Sequence, residues 1–392
     1  MTLKTLLLGS AATFAVVGGA QAADLSVAEP VEYVKVCDYF GTTYWYIPGT
    51  DTCLKVGGFV ETNADFSANH RVVPAGYPSY GGRSASWAFT VCSELQITAK
   101  SQTEYGELDG YFGYRVVNNP ATDTTVVGNP MLRTDGAYLS LGGFKAGAYG
   151  NAAYAGGGLS PYSFVDNFGY SNEIDGTFGY QDLKTFQLSW AAGGMGASVA
   201  VSDPSSYWSQ GLPINYSMPL ITANITTTQK AFSAGLSGGF VQMSNNGFSS
   251  QSSFGIDGQV DFNIGSMDKL MLNGDYGDNG FIGGFAPAYH DSTAGTNNGY
   301  SLMASWQHMF SKTFEFDADF SYIKESGSSA TGYATAADLV WTPVTNFRAK
   351  ALVGYTDLPT AGSTCGTSAN CGNDYYSNTG AWVAELAVRR DW

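Results

Sequence analysis

The sequence predicts an all-β protein, a transmembrane antiparallel β-barrel of about sixteen strands, on three observations. The composition is typical of a β protein, with 14% aromatic residues, 50 glycines and only 13% charged residues. Apolar and polar residues alternate with a period of two along one segment after another. The connections between these segments are short and long in turn. A membrane barrel sorts its connections by end in this way, whereas a soluble sandwich has no reason to do so.

Residues 1–22 predict a secretory signal peptide that is cut before Ala23. Lys4 supplies a positive charge, an apolar run follows it, and an Ala-Gln-Ala cleavage site ends the segment. The run is too short for a persuasive membrane anchor, and no later stretch reaches the ~18 consecutive apolar residues that a transmembrane helix needs. Any membrane span must therefore be built from strands.

Residues 23–53 predict a leader outside the regular pattern, and the barrel is expected over residues 54–392. In the first barrel strand Val56 and Val60 lie on the apolar face, while Phe59 is an exception on the polar face. The later strands are expected near residues 87–100, 108–116, 134–141, 144–150, 183–192, 197–203, 220–229, 231–241, 253–264, 269–277, 299–309, 313–323, 333–342, 346–356 and 379–392. Their number is even, as closure of a barrel requires.

The five cysteines indicate oxidising surroundings, because the chain carries an export signal. Cys37 and Cys53 could close one local disulfide, and Cys365 and Cys371 could close another. Cys92 is left over within a strand pattern and is expected to be a small packed residue. Three scattered histidines do not supply the partners of a zinc site, so neither a metal nor a cofactor is expected.

The acidic balance excludes one class of partner. The formal net charge is −15, which argues against nucleic-acid binding and offers no basic patch for anionic lipid. Acidic residues recur at a spacing of two, as on the lumen face of a barrel, at Asp257, Asp261, Asp275, Asp317 and Asp319. If many of the acidic residues line a pore, they favour cations.

No motif predicts catalysis. Residues 235–239 match the Gly-x-Ser-x-Gly pattern of a nucleophile elbow, but that elbow needs a strand-to-helix turn, and here the match lies within an alternating strand. We therefore expect no enzyme. An outer-membrane enzyme would need a nucleophile and a base brought together, which three scattered histidines do not supply.

A leader motif and several later stretches are more specific. The motif is Cys37-Asp38-Tyr39-Phe40 followed by residues 46–58, and the later stretches are 103–108, 137–147, 268–270, 307–308, 340–344 and 390–392. Together they resemble the outer-membrane porins of alphaproteobacteria, the group that includes the Brucella and Rhizobium major porins. The chain departs from that pattern in residues 151–159 and in ending on Trp392 where Phe is usual. A terminal aromatic on an amphipathic strand resembles the insertion signal of such barrels.

The resemblance implies a sixteen-stranded homotrimer in the bacterial outer membrane, with a third extracellular loop that folds into the lumen. Residues 151–182 form the longest connection, and a loop of that length usually has a function. Its acidic candidates for the constriction are Asp166, Glu173 and Asp175. The alternation places six basic candidates on the opposite, lumen-facing wall: Lys55, Arg115, Lys145, Arg348, Lys350 and Arg389. Acid facing base would create a transverse field that orients polar solutes.

These observations predict a general diffusion porin, a passive water-filled path for ions and small hydrophilic solutes with no chemical step. Two alternatives stay open. A solute-selective channel, for a sugar or a cation, would show saturable binding in the pore. A closed structural or adhesive barrel would pass no current. Lipid, solutes and further copies of the chain are the partners expected.

Overall fold

The wall of the molecule is a set of sixteen long β-strands. The computed structural model describes residues 35–67, 72–74, 87–118, 131–150, 163–165, 182–203, 214–216, 218–245, 251–277, 298–326, 331–357, 364–365, 373–376 and 381–392. The signal peptide expected at residues 1–22 lies outside these ranges. The strands are β1 (Cys53–Ser67), β2 (Trp87–Thr103), β3 (Gly106–Asn118), β4 (Met131–Leu141), β5 (Phe144–Gly150), β6 (Asp182–Ala192), β7 (Met195–Asp203), β8 (Leu220–Thr228), β9 (Phe232–Asn245), β10 (Gln251–Ile264), β11 (Asp268–Gly277), β12 (Asn298–Ser311), β13 (Phe314–Ser326), β14 (Thr331–Val344), β15 (Phe347–Asp357) and β16 (Ala381–Asp391).

Each strand pairs antiparallel with the next, and the last strand closes the sheet on the first. β16 pairs with β15 along one edge and with β1 along the other, where Phe59 lies opposite Asp391 and Ser67 opposite Val383. The wall therefore has no free edge, which satisfies the backbone hydrogen bonds of every strand within the sheet. The predicted barrel of sixteen antiparallel strands is confirmed.

The two faces of the wall are reversed relative to a soluble protein. In β16 the side chain of Leu386 is 63% exposed, whereas the adjacent Glu385 is 1% exposed. The same contrast follows the other strands: apolar residues point outward into the surroundings and polar residues point into the barrel. An exposed apolar band around a closed barrel is the surface that lipid covers, so the soluble sandwich is excluded.

The turns of two or three residues all lie at one end of the barrel, which we call the turn end. They comprise residues 104–105, 142–143, 193–194, 229–231, 265–267, 312–313 and 345–346. Four of them use a left-handed backbone conformation, among them the turns at Gly265, with φ 72°, and at Asn346, with φ 62°. The long connections lie at the opposite, loop end. There, Val72–Pro74 and Thr364–Cys365 both lie in a three-stranded sheet with Asn373–Tyr376 between them.

The described part of the leader, residues 35–52, packs at the turn end beside β1. A short 3-10 turn, Asp38–Phe40, precedes the strand Trp45–Tyr46, which pairs with Cys53 and Leu54 at the start of β1. Cys37 and Cys53 form a disulfide and are both buried. Among the described residues, no helix is long and apolar enough to cross a membrane.

Candidate functional site: the lumen wall

Polar side chains cover the inside of the barrel because every second residue of each strand points there. Most of them bond to one another along and between strands. Asn63 donates to Glu61 at 3.0 Å, and Asn273 donates to Asp257 at 2.7 Å. Ser237, the serine of the apparent nucleophile motif, lies inside β9, away from any helix, and is one of these inward residues. No group of three His, Cys, Asp or Glu side chains among the described residues is placed to hold a metal ion.

Five of the six predicted basic residues lie on one stretch of wall, formed by β15, β16, β1, β2 and β3, and within the described part of the chain all of these but Lys55 are ion-paired. Each of the four paired residues contacts a carboxylate of the same stretch. Arg115 Nη2 lies 2.6 Å from Glu94 Oε2, and Lys350 Nζ lies 2.9 Å from Glu385 Oε1. Both side chains of the Lys350–Glu385 pair are fully buried. We call this stretch the paired wall, because its positive charges are cancelled locally.

Arg389 and Arg348 are both paired with Asp391, a further carboxylate of the paired wall. Arg389 Nη1 lies 3.3 Å from Glu61 Oε2, and its Nη2 lies 2.9 Å from Asp391 Oδ1. Arg348 Nη2 lies 3.5 Å from Asp391 Oδ2. Alternation indicated which way these basic residues face, but it did not reveal the carboxylates beside them.

The exceptional position of Phe59 is explained by two of these cations, which lie close to its ring. Its ring is buried, with only 3% of the residue exposed. The Cζ atom of Arg389 lies 3.7 Å from the ring centroid, and the Cζ atom of Arg115 lies 5.6 Å from it. An aromatic face attracts a guanidinium at such distances. Phe59, the apolar residue on the polar face of β1, thus forms a cation–π site inside the barrel.

The remaining two basic candidates lie apart from the paired wall's ion pairs. Lys145 in β5 lies above two lumen-facing rings, with its Nζ 3.7 Å from the Tyr138 centroid and 4.1 Å from the Tyr149 centroid. Lys55 lies near the turn end, with its Nζ 5.9 Å from the ring of Tyr44 in the leader. The six candidates all face inward, but they do not form one group.

A short segment of the third long connection lies inside the barrel. Ser163 Oγ donates to Asp319 Oδ2 at 2.9 Å, and the backbone amide of Phe164 donates to Ser305 Oγ at 2.8 Å. Val165 is 1% exposed and packs with three inward apolar residues, Ala336, Leu352 and Val383. The expected inward fold of this connection is confirmed for residues 163–165. The acidic candidates Asp166, Glu173 and Asp175 lie outside the described residues.

A second group of acidic lumen side chains lies on the strands β10 to β14, next to the paired wall, which begins at β15. Asp257 and Asp275 face each other on β10 and β11, and Asp317 faces Asp338 on β13 and β14. All four are buried on the lumen side. We call this stretch the acidic wall. The spacing of acidic residues had indicated most of its members, whereas Asp338 was missed because it stands alone in its strand.

The cysteines follow one of the two predicted pairs. Cys37 and Cys53 are joined, with their Cα atoms 6.0 Å apart. Cys92, which was expected to be unpaired, is disulfide-bonded as well. Cys92 faces the lumen in β2 and is buried. The predicted pair of Cys365 and Cys371 involves residue 371 and the side chain of residue 365, which lie outside the described part of the chain.

Comparison with known proteins identifies the family. A model of the porin subfamily matches residues 24–382. The putative outer membrane protein y4fJ of Sinorhizobium fredii is 35% identical over 206 residues, which cover 52% of this chain and 55% of that protein. Porin Omp2b of Brucella suis is 39% identical over 156 residues, covering 38% of this chain and 39% of that protein. The chain spans about half the length, or less, of the curated relatives it matches.

Solved structures agree on the fold. The outer membrane channel DcaP of Acinetobacter baumannii superposes with a TM-score of 0.65 at 14% identity, covering 88% of this chain and 99% of that chain. The trimer form of OmpT from Vibrio cholerae superposes with a TM-score of 0.59 at 10% identity, covering 88% of this chain and 100% of that chain. The family model extends from the leader to the first residues of the last strand, and the chain therefore belongs to the porin subfamily.

Proposed function

We propose that the chain forms a passive, water-filled channel across the bacterial outer membrane, open to ions and small hydrophilic solutes. The observation that carries this proposal is the reversal of the wall: a closed sixteen-stranded barrel with an apolar exterior and a charged interior. Barrels of this size leave a lumen wide enough for water. The lumen-facing residues described above are held by ion pairs and hydrogen bonds along a hydrophilic wall, which suits passive diffusion.

The channel carries a weak preference for cations. The paired wall is close to neutral because its cations face carboxylates of the same wall, whereas the acidic wall contributes net negative charge to the lumen. A field that points across the pore from one wall to the other orients polar solutes as they pass.

The test is a planar bilayer recording with the purified, folded protein under a KCl gradient. We expect stepwise increases in current and a reversal potential of the sign that marks cation preference. Asp257→Asn combined with Asp275→Asn should lower that preference. Asp268→Asn is the matched control, because Asp268 lies on the outward face, where it accepts a hydrogen bond from Trp306 at 3.1 Å. Folded protein that gives no current would refute the channel and favour a closed structural barrel.

A homotrimer is the assembly that we propose. The support is that one structurally similar porin, OmpT, is described in a trimer form. Native mass spectrometry of detergent-extracted protein should give three times the mass of the mature chain, and a monomer under the same conditions would contradict the proposal.

A channel that binds its solute is the second candidate, and one cavity favours it. The cavity has a volume of about 510 Å³ and opens on the lumen between the acidic wall and the turn end. Two cations, Lys269 and Arg348, and two carboxylates, Glu315 and Asp338, are among its lining residues. Such a lining suits a solute with both charges. Current block by a zwitterionic amino acid that saturates with concentration would support this candidate, and linear behaviour would dismiss it.

A further inference from the structure

Phe59 occupies a position in β1 that the pattern of the strand reserves for polar residues. The inward-facing residues of β1 are Lys55, Gly57, Phe59, Glu61 and Asn63. In the neighbouring strands, the residues opposite Phe59 are Glu94 in β2 and Asp391 in β16. A phenyl ring between two carboxylates gains nothing from them, so its stabilising partners must be cations.

Those partners are the guanidinium groups of Arg389 and Arg115. Their Cζ atoms lie 3.7 Å and 5.6 Å from the ring centroid. They reach the ring from different strands, Arg389 from β16 and Arg115 from β3. One ring therefore contacts two positively charged guanidinium groups. Both groups lie next to the ring and do not extend into the water of the lumen.

Carboxylates hold the same two groups from the side. Arg389 is paired with Glu61 at 3.3 Å and with Asp391 at 2.9 Å, and Arg115 donates from Nε to Glu94 Oε2 at 2.7 Å. The carboxylates accept hydrogen bonds from the N–H groups at the edge of each guanidinium, and the aromatic ring contacts its planar face. The side chain of Arg115 is left 10% exposed and that of Arg389 20% exposed.

We propose that Phe59 is a specificity-determining residue of the channel. It holds both guanidinium groups flat against the paired wall, where Glu61, Glu94 and Asp391 cancel their charge. The acidic wall then dominates the field that a passing ion meets. This inference rests on the proposed channel function. Without the aromatic face, the two arginines reach further into the lumen, raise its positive potential and narrow it.

Phe59→Leu tests the proposal because leucine stays apolar but has no aromatic face, and Phe59→Tyr is the conservative control. Loss of a cation–π contact at a partly exposed site changes an equilibrium about two- to fivefold. We therefore expect the cation-to-anion permeability ratio of Phe59→Leu to fall about twofold or more, with greater open-channel noise. Phe59→Tyr should keep the wild-type ratio. Folding of each variant is checked by the heat-dependent mobility of the barrel on a gel.

A double-mutant cycle shows whether Phe59 acts through the arginines. In an Arg389→Gln background, Phe59→Leu should change the permeability ratio much less than in the wild type, because one of its two partners is gone. If Phe59→Leu does not fold, Arg389→Lys replaces it: this variant keeps the charge, loses the planar group, and should shift the ratio in the same direction.

The outcomes separate the two proposals. A conducting wild type, with an unchanged ratio in Phe59→Leu, overturns the role of Phe59 and leaves the channel function intact. Equal shifts in Phe59→Leu and Phe59→Tyr also overturn it, since the aromatic face is then irrelevant. A folded wild type that conducts no current refutes the channel itself.

Discussion

Replacing Ser163 by alanine should loosen the segment that lies inside the barrel. The contacts that hold residues 163–165 against the wall include the bond from Ser163 to Asp319, the bond from the Phe164 amide to Ser305, and the burial of Val165. Ser163→Ala removes only the first of them. It leaves the barrel strands unchanged, because Asp319 still accepts a hydrogen bond from the backbone amide of Ala336 at 2.8 Å.

The size of the effect follows from the contact that is lost. Ser163 is 1% exposed and Asp319 5% exposed, so water replaces the bond poorly. A hydrogen bond to a charged group contributes about 2 kcal/mol net, which lowers the ratio of docked to undocked segment about 30-fold. The Phe164 bond, worth about 1 kcal/mol, and the burial of Val165, worth about 2 kcal/mol, remain. We therefore expect more frequent excursions of the segment while it stays mostly docked.

Single-channel recording measures these excursions directly. The open-state current of Ser163→Ala should be noisier than that of the wild type and slightly larger on average. Ser321→Ala is the matched control: Ser321 is buried on the same lumen face of β13, and its hydroxyl has no hydrogen-bond partner among the described residues. Traces of Ser163→Ala that match both the wild type and Ser321→Ala would show that the bond to Asp319 does not position the segment.

Three further perturbations test the wall and the leader. Lys350→Met leaves Glu385 buried without its partner, which costs about 3–5 kcal/mol and should lower the temperature at which the barrel unfolds on a heated gel. The double variant Lys350→Met with Glu385→Leu should recover most of this loss of stability. Unfolding of Lys350→Met at the wild-type temperature would contradict the argument. Cys37→Ser removes a disulfide that spans 16 residues and stabilises the leader alone by about 3 kcal/mol. Limited proteolysis should therefore cut the leader, while the unfolding temperature of the barrel stays unchanged. A leader that stays resistant to the protease would show that its other contacts suffice. Gly58→Ala should abolish folding, because a Cβ atom at residue 58 would lie 2.1 Å from the carbonyl oxygen of Glu94 and the backbone of Gly58 has a φ of 153°. A normal yield of heat-modifiable barrel would refute this prediction.

The segment containing Ser163 shows how much of a functional site can be predicted from the sequence. The length of the third connection indicated a functional loop, and the family resemblance implied that it enters the lumen. Neither named the residues that anchor it. Ser305 and Asp319 are separated from the segment by 141 and 156 residues, and their contact with it depends on closure of the barrel. A period of two determines which way a residue faces, but not its height in the pore or what it meets across it.

The sequence by itself determined the strands, their number and the direction of each side chain, because these depend on local alternation and on turns between neighbours in the chain. Only the tertiary structure decided which charges meet. Glu61 and Arg389 are 328 residues apart and become partners because β16 closes on β1. The same closure brings Arg389 to Phe59, which Arg115 reaches from the other side, across β2. Long-range pairing sets the charge pattern of the lumen, since each carboxylate acts on the nearest cation in space, whatever their separation in sequence.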